Sequence, residues 1–176
     1  MSFNSIKSKM QSERGFTIVE LLIVIVVIGI LAAITIVAYN GVTARANTTS
    51  AKSAANSFAK KAEIFNADGG LNRYPVTSDE LTTAANTATY YLSGVTANYS
   101  TSALTANSSN STIRVLKCTA AAVTPTNNQA AITGVSTGNA TITGLKITWF
   151  DYTTGAETTT PNPPITIGNA TNCPTT

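Results

Sequence analysis

From Phe16 to Tyr39 the sequence reads FTIVELLIVIVVIGILAAITIVAY, interrupted only by Thr17, Glu20, Gly29 and Thr35. At about 1.5 Å per residue, a helix of this run spans roughly 36 Å, enough to cross a bilayer core of about 30 Å. The preceding segment, MSFNSIKSKMQSERG, is polar and sets Lys7, Lys9 and Arg14 against Glu13. That flank predicts an N-terminus kept in the cytoplasm and a remainder that is exported. A secretory signal peptide has an apolar core of about 7–15 residues followed by a small-residue cleavage site. The run here is longer, and no A-x-A follows it. A plain uncleaved anchor accounts for the length and the flank, but it gives no reason for Glu20, the one charged side chain between Arg14 and Arg45.

Composition removes most alternatives. The chain has 176 residues and no His, which excludes Ser-His-Asp and Cys-His catalysis and every His-based metal site. No phosphate-binding or dinucleotide-binding glycine motif is present. Asp151 and Glu157 are the late carboxylates, too few for an all-protein Ca²⁺ cage. No catalytic residue, cofactor or metal site is therefore expected. Charged residues make up only 11% against 43% apolar, and the polar remainder is chiefly Thr, Asn and Ser. The net charge of +3 is small, and a basic stripe of Arg45, Lys52, Lys60 and Lys61 is weak ground for nucleic-acid binding.

Helical periodicity continues beyond the apolar run. Ala51, Ala55, Phe58, Ala62 and Phe65 recur at spacings of three and four and form one stripe, with Lys52, Lys60, Lys61 and Glu63 off it. Asp68-Gly69-Gly70 supplies a stop. The expectation is one helix of about fifty residues, apolar all round in residues 16–40 and amphipathic in residues 41–68. Its weakest stretch is Asn47-Thr-Thr-Ser50, which has poor helix propensity.

Residues 69–111 read as a connection. Thr77 and Glu80 fit a T-x-x-E capping box that opens a short helix running to about Ala85. Residues 86–111 are rich in Thr, Ser and Asn, with room for one short strand, and Tyr90, Tyr91 and Tyr99 are expected to pack onto the head. Residues 112–176 read as a sheet. Strands are predicted at Thr112–Cys118, Ala130–Val135 and Thr141–Tyr152, with an edge strand at Ile165–Ile167 after Pro161, Pro163 and Pro164. Trp149 is expected to anchor the core. The fold class is α+β, an amphipathic helix packed on an antiparallel sheet. Cys118 and Cys173 are the only cysteines and fall on the exported side, so a disulfide is the natural assignment. The loop-entropy relation gives such a bridge roughly 4 kcal/mol.

The junction Arg14-Gly15-Phe16-Thr-Ile-Val-Glu20-Leu-Leu-Ile resembles the prepilin signature of type IV pilins and type II secretion pseudopilins. The resemblance implies a leader of residues 1–15, cut between Gly15 and Phe16 by a membrane prepilin peptidase that also N-methylates Phe16. It implies that the apolar helix is retained, first as a membrane anchor and then as the core of a helical filament of identical subunits built on an assembly platform. Glu20 would meet the new amine on Phe16, which is protonated near neutral pH, either within one subunit or across to a neighbour to set the filament's register. The family reading favours the neighbour. Residues 118–173 would form the disulfide-bounded loop often exposed on the filament. Many pilins have a proline where this chain has Val37, a departure that bears on whether the helix bends or melts near Gly29. Expected roles are those of a pilus subunit in adhesion, twitching motility or DNA uptake. The alternatives are a pseudopilin of a type II secretion system and a minor or DNA-binding pilin.

Overall fold

The structure is a computed structural model, and it describes residues 15–68, 73–83, 87–100, 102–119, 142–158, 163–170 and 173. The chain divides into two compact units between Gly41 and Val42, within a helix, α1, that runs from Ile18–Asp68 over 51 residues. Each unit is described by itself.

In the first unit α1 exposes its large apolar side chains. Ile18, Leu21, Val24, Ile28, Leu31, Ile34 and Val37 are all at least half exposed and lie on every face of the helix. Among the described residues this is the helix long and apolar enough to cross a membrane. Val37 is helical, so the position where many pilins place a proline introduces no break.

In the second unit the predicted stripe is the buried stripe. Ala51, Ala55, Phe58, Ala62 and Phe65 are buried, together with Ala54 and Ala59. Small alanines let the helix approach the sheet closely, while Phe58 and Phe65 fill the space beside them. Phe58 packs edge-on against Tyr99 and Phe65 against Tyr90, with centroids 6.3 and 5.1 Å apart. Both tyrosines thus join the head, as the sequence suggested. The helix ends at Asp68, and the two glycines after it lie outside the described residues.

The sheet has five strands: β1 (Thr96–Asn98), β2 (Thr112–Thr119), β3 (Ile142–Asp151), β4 (Ala156–Glu157) and β5 (Ile165–Gly168). β3 is the hub. It pairs antiparallel with β2 along its length, with β4 at Phe150 and Asp151, and with β5 from Gly144 to Ile147. The expected all-antiparallel sheet needs one correction, because β1 runs parallel to β2, Thr96 opposite Thr112. The connection from β1 to β2 crosses over instead of turning back as a hairpin. The predicted strand at Ala130–Val135 lies outside the described residues.

Register sorts the two faces. Ile113, Val115 and Lys117 oppose Trp149, Ile147 and Leu145, and the hydrophobic members of this set pack with the α1 stripe in the core. Trp149 is 1% exposed, the core anchor expected of it. Arg114, Leu116 and Cys118 oppose Thr148, Lys146 and Gly144 on the other face. That face is also buried at Arg114, Leu116, Cys118 and Thr148, so β2 shows no simple in-out alternation. Arg114 Nε lies 2.7 Å from Glu157 Oε1, and Glu157 also accepts hydrogen bonds from Thr148 Oγ1 and the Leu104 N–H.

The second helix, α2, is a single turn, Asp79–Thr82, and corrects the expected capping box. Ser78 holds the N-cap position without a side-chain bond. Glu80 instead accepts from the Val76 N–H at 2.6 Å and pairs with Arg73. A stronger partner, a guanidinium brought in from the connection, takes the carboxylate away from the helix start. Burial pushes the Glu80 carboxyl up, but Arg73 and the backbone donors outweigh it and hold it below the usual range.

Candidate processing and assembly segment

The segment that carries the prepilin resemblance begins outside regular structure. Gly15, Phe16 and Thr17 precede the helix, and Phe16 is 88% exposed. A Cβ placed on Gly15 would meet nothing within 4 Å.

Thr17 is where the helix starts, and its carbonyl accepts from the Leu21 N–H at 3.2 Å. Its hydroxyl accepts from the Glu20 N–H at 3.1 Å. Glu20 Oε2 in turn accepts from the Thr17 N–H at 2.9 Å and from the Thr17 hydroxyl at 2.8 Å. This is a reciprocal capping box, two orphan donors of the helix start satisfied by two side chains. The expected partner of Glu20 is the Phe16 amine, and the cap is an additional role that the structure shows. T-x-x-E is written at Thr17–Glu20 just before an apolar run, and that pattern was the available signal. Among the described residues no cation pairs with Glu20.

Cys118 and Cys173 form the disulfide, with Cα atoms 4.2 Å apart and a sequence separation of 55. Chain beside it is closely held. Asn169 N–H donates to the Thr143 carbonyl at 2.8 Å, and Thr143 Oγ1 donates to the Asn169 carbonyl at 3.1 Å. Gly144 sits where a Cβ would come within 2.6 Å of the Ile167 and Asn169 carbonyls, so only glycine admits this approach.

Among the described residues no group of three His, Cys, Asp or Glu side chains could hold a metal ion. Of the basic side chains read as a possible stripe, Lys61 donates to the Thr89 carbonyl at 2.6 Å.

Comparison with known proteins bears on this segment directly. Residues 10–36 match the family described as Prokaryotic N-terminal methylation motif. The match spans the Gly15–Phe16 junction and the first part of the apolar helix. The chain is 40% identical over 77 residues to the type IV major alpha-pilin of Moraxella bovis, covering 43% of this chain and 45% of that protein. It is 46% identical over 54 residues to a fimbrial protein of Pseudomonas aeruginosa, covering 31% of this chain and 35% of that one. Together these findings show a likeness to type IV pilins. It spans less than half the length of these curated relatives. No solved structure matches it.

Proposed function

We propose that this chain is the structural subunit of a type IV pilus. Before assembly it is held in the cytoplasmic membrane by residues 16–40 with its N-terminus in the cytoplasm. It is then cut between Gly15 and Phe16, N-methylated on Phe16 and polymerised through the apolar helix. The observation that carries this reading is the contrast within α1. Its first half exposes large apolar side chains on every face among the described residues, a surface that calls for an apolar environment. Lipid provides one before assembly and identical helices provide one after. The filament would present the head for adhesion, twitching motility or DNA uptake.

Glu20 has a role in this reading that its capping box leaves open. Thr17 uses the Oε2 oxygen, and the other carboxylate oxygen remains to receive the protonated amine of Phe16 from a neighbouring subunit. In apolar surroundings such a pair sets axial register because each charge is costly without the other.

The test uses cells producing Glu20→Ala and Glu20→Gln. Cleavage is expected to persist in both, with incorporation into sheared surface fibres falling at least about tenfold in each. Glutamine keeps the helix cap but not the charge. Normal incorporation of Glu20→Gln would defeat the register role, and absence of any fibre containing the native chain would defeat the pilus reading.

A further inference from the structure

The stretch judged weakest for helix formation, Asn47 to Ser50, is where α1 is tied to the sheet by polar contacts. Thr48 Oγ1 accepts from the Tyr152 N–H at 2.9 Å. Its single proton lies between the Ala44 carbonyl at 3.0 Å and Asp151 Oδ1 at 3.1 Å. Asp151 Oδ1 also accepts from the Thr153 N–H at 2.9 Å, which fixes the turn leaving β3. The preceding residue, Asn47, accepts through Oδ1 from Asn110 Nδ2 at 3.2 Å. Tyr152 OH donates to the Ser108 carbonyl at 2.5 Å and joins the two contacted loops. These contacts link residues 63 to 104 positions apart in sequence.

Their place along α1 matters. N-terminal to them lie Asn40, Gly41, Val42 and Thr43, all poor helix formers in sequence order. A Cβ on Gly41 would meet nothing within 4 Å, so packing in this chain does not call for glycine there. C-terminal to them lies Ala51, the first buried residue of the core stripe.

We propose that Asn47 and Thr48 form a clasp that acts as a stop. It holds α1 on the β3–β4 turn and prevents unwinding that starts around residues 40–43 from passing into the core-forming half of the helix. The clasp matters to the proposed function because a helix that changes its surroundings from lipid to protein meets its greatest disturbance in its apolar half. The head then keeps its core while that half adjusts. The clasp itself does not depend on polymerisation, so it can be tested on the monomer.

The experiment is amide hydrogen exchange on the full chain in detergent micelles, comparing the native protein with Thr48→Val, Thr48→Ser and Asn47→Ala. Valine has the size and nearly the helix propensity of threonine, so only the hydroxyl is lost. Exchange over residues 43–50 is expected to quicken about tenfold or more in Thr48→Val, with residues 54–65 unchanged within about twofold. Thr48→Ser should behave as the native chain, and Asn47→Ala should show a smaller change confined to the same residues. Unchanged exchange at 43–50 in Thr48→Val would overturn the clasp. So would equal quickening across 43–65, or loss of protection in Thr48→Ser. None of these results bears on whether the chain forms fibres.

Discussion

The two halves of α1 are the same secondary structure under opposite constraints. From Ile18 to Val42 most side chains are apolar, and the large ones are exposed. From Ala51 to Phe65 the buried positions are mostly alanine, spaced by polar residues that face water. Helix propensity does not separate them. What separates them is the number of apolar faces, one in the second half and all in the first, and a single sheet can cover only one. The first half, exposed among the described residues, therefore calls for apolar surroundings of its own.

Substitution should divide the halves sharply. Phe58→Ala is expected to cost about 3–5 kcal/mol of head stability, because it opens a cavity between α1, Tyr99 and the sheet. Ile28→Ala, at 58% exposure, should leave the same unfolding transition within about 0.5 kcal/mol. Thermal or denaturant unfolding of the full chain in micelles measures both. Similar effects at the two sites would erase the distinction.

The head's second buried face offers the next comparison. Glu157→Ala leaves Arg114, 1% exposed in its side chain, without its carboxylate and should cost about 3 kcal/mol. The loss should exceed that of Glu80→Ala, since Arg73 and Glu80 remain over a fifth exposed and solvent screens them. Removing the bridge in Cys118→Ala/Cys173→Ala should lower stability by about 2–4 kcal/mol. The amphipathic half of α1 should keep its helix signal until the head unfolds.

Much of this division was legible in the sequence. The α1 stripe was readable because a 3.6-residue period needs no knowledge of the partner surface, and every position assigned to it is buried. The long strands were readable for the same local reason. The parallel pairing of β1 was not, since strand direction depends on a connection and not on alternation within three residues. Asn47–Ser50 was legible only as a weak helix, because its compensation comes from Asp151 and Tyr152, about a hundred positions away. Glu20 shows the opposite failure. Its partner Thr17 stands three residues off, and a charge at the start of an apolar run admits both a cation and a helix cap as partners.

Alkaline pH sharpens the comparison further, because the groups that respond lie in the head and not in the apolar half. Lys117 is buried with its ammonium 4.9 Å from the centroid of the Tyr99 ring. Burial pulls it down from 10.5 to about 8, against the pull of Glu80. Between these values the unfolded chain binds the proton and the folded chain does not, so stability should rise from pH 8 toward pH 10. The gain is on the order of 1–2 kcal/mol after allowance for solvent screening. Above pH 10 the sign reverses. Burial holds Tyr99 well above its usual 10.0, so the unfolded chain loses that proton first. Lys117→Met should abolish the rise and leave the fall; a rise that survives would reassign it to another group.

The smallest effect concerns the helix between the two halves. Gly41→Ala meets open space and should make local helix more stable by about 0.5–1 kcal/mol, read as slower exchange at residues 40–45. A loss of protection there would mean that glycine serves a contact this chain alone does not show.

The most direct measurement is the mass and sequence of the N-terminus in fibres sheared from intact cells. The chain in those fibres should begin at Phe16 with one added methyl group on its amine, and should retain everything through Tyr39. Material that still begins at Met1, or that starts downstream of Tyr39 and sheds only the head, would contradict an apolar helix that leaves lipid to be buried among its own copies.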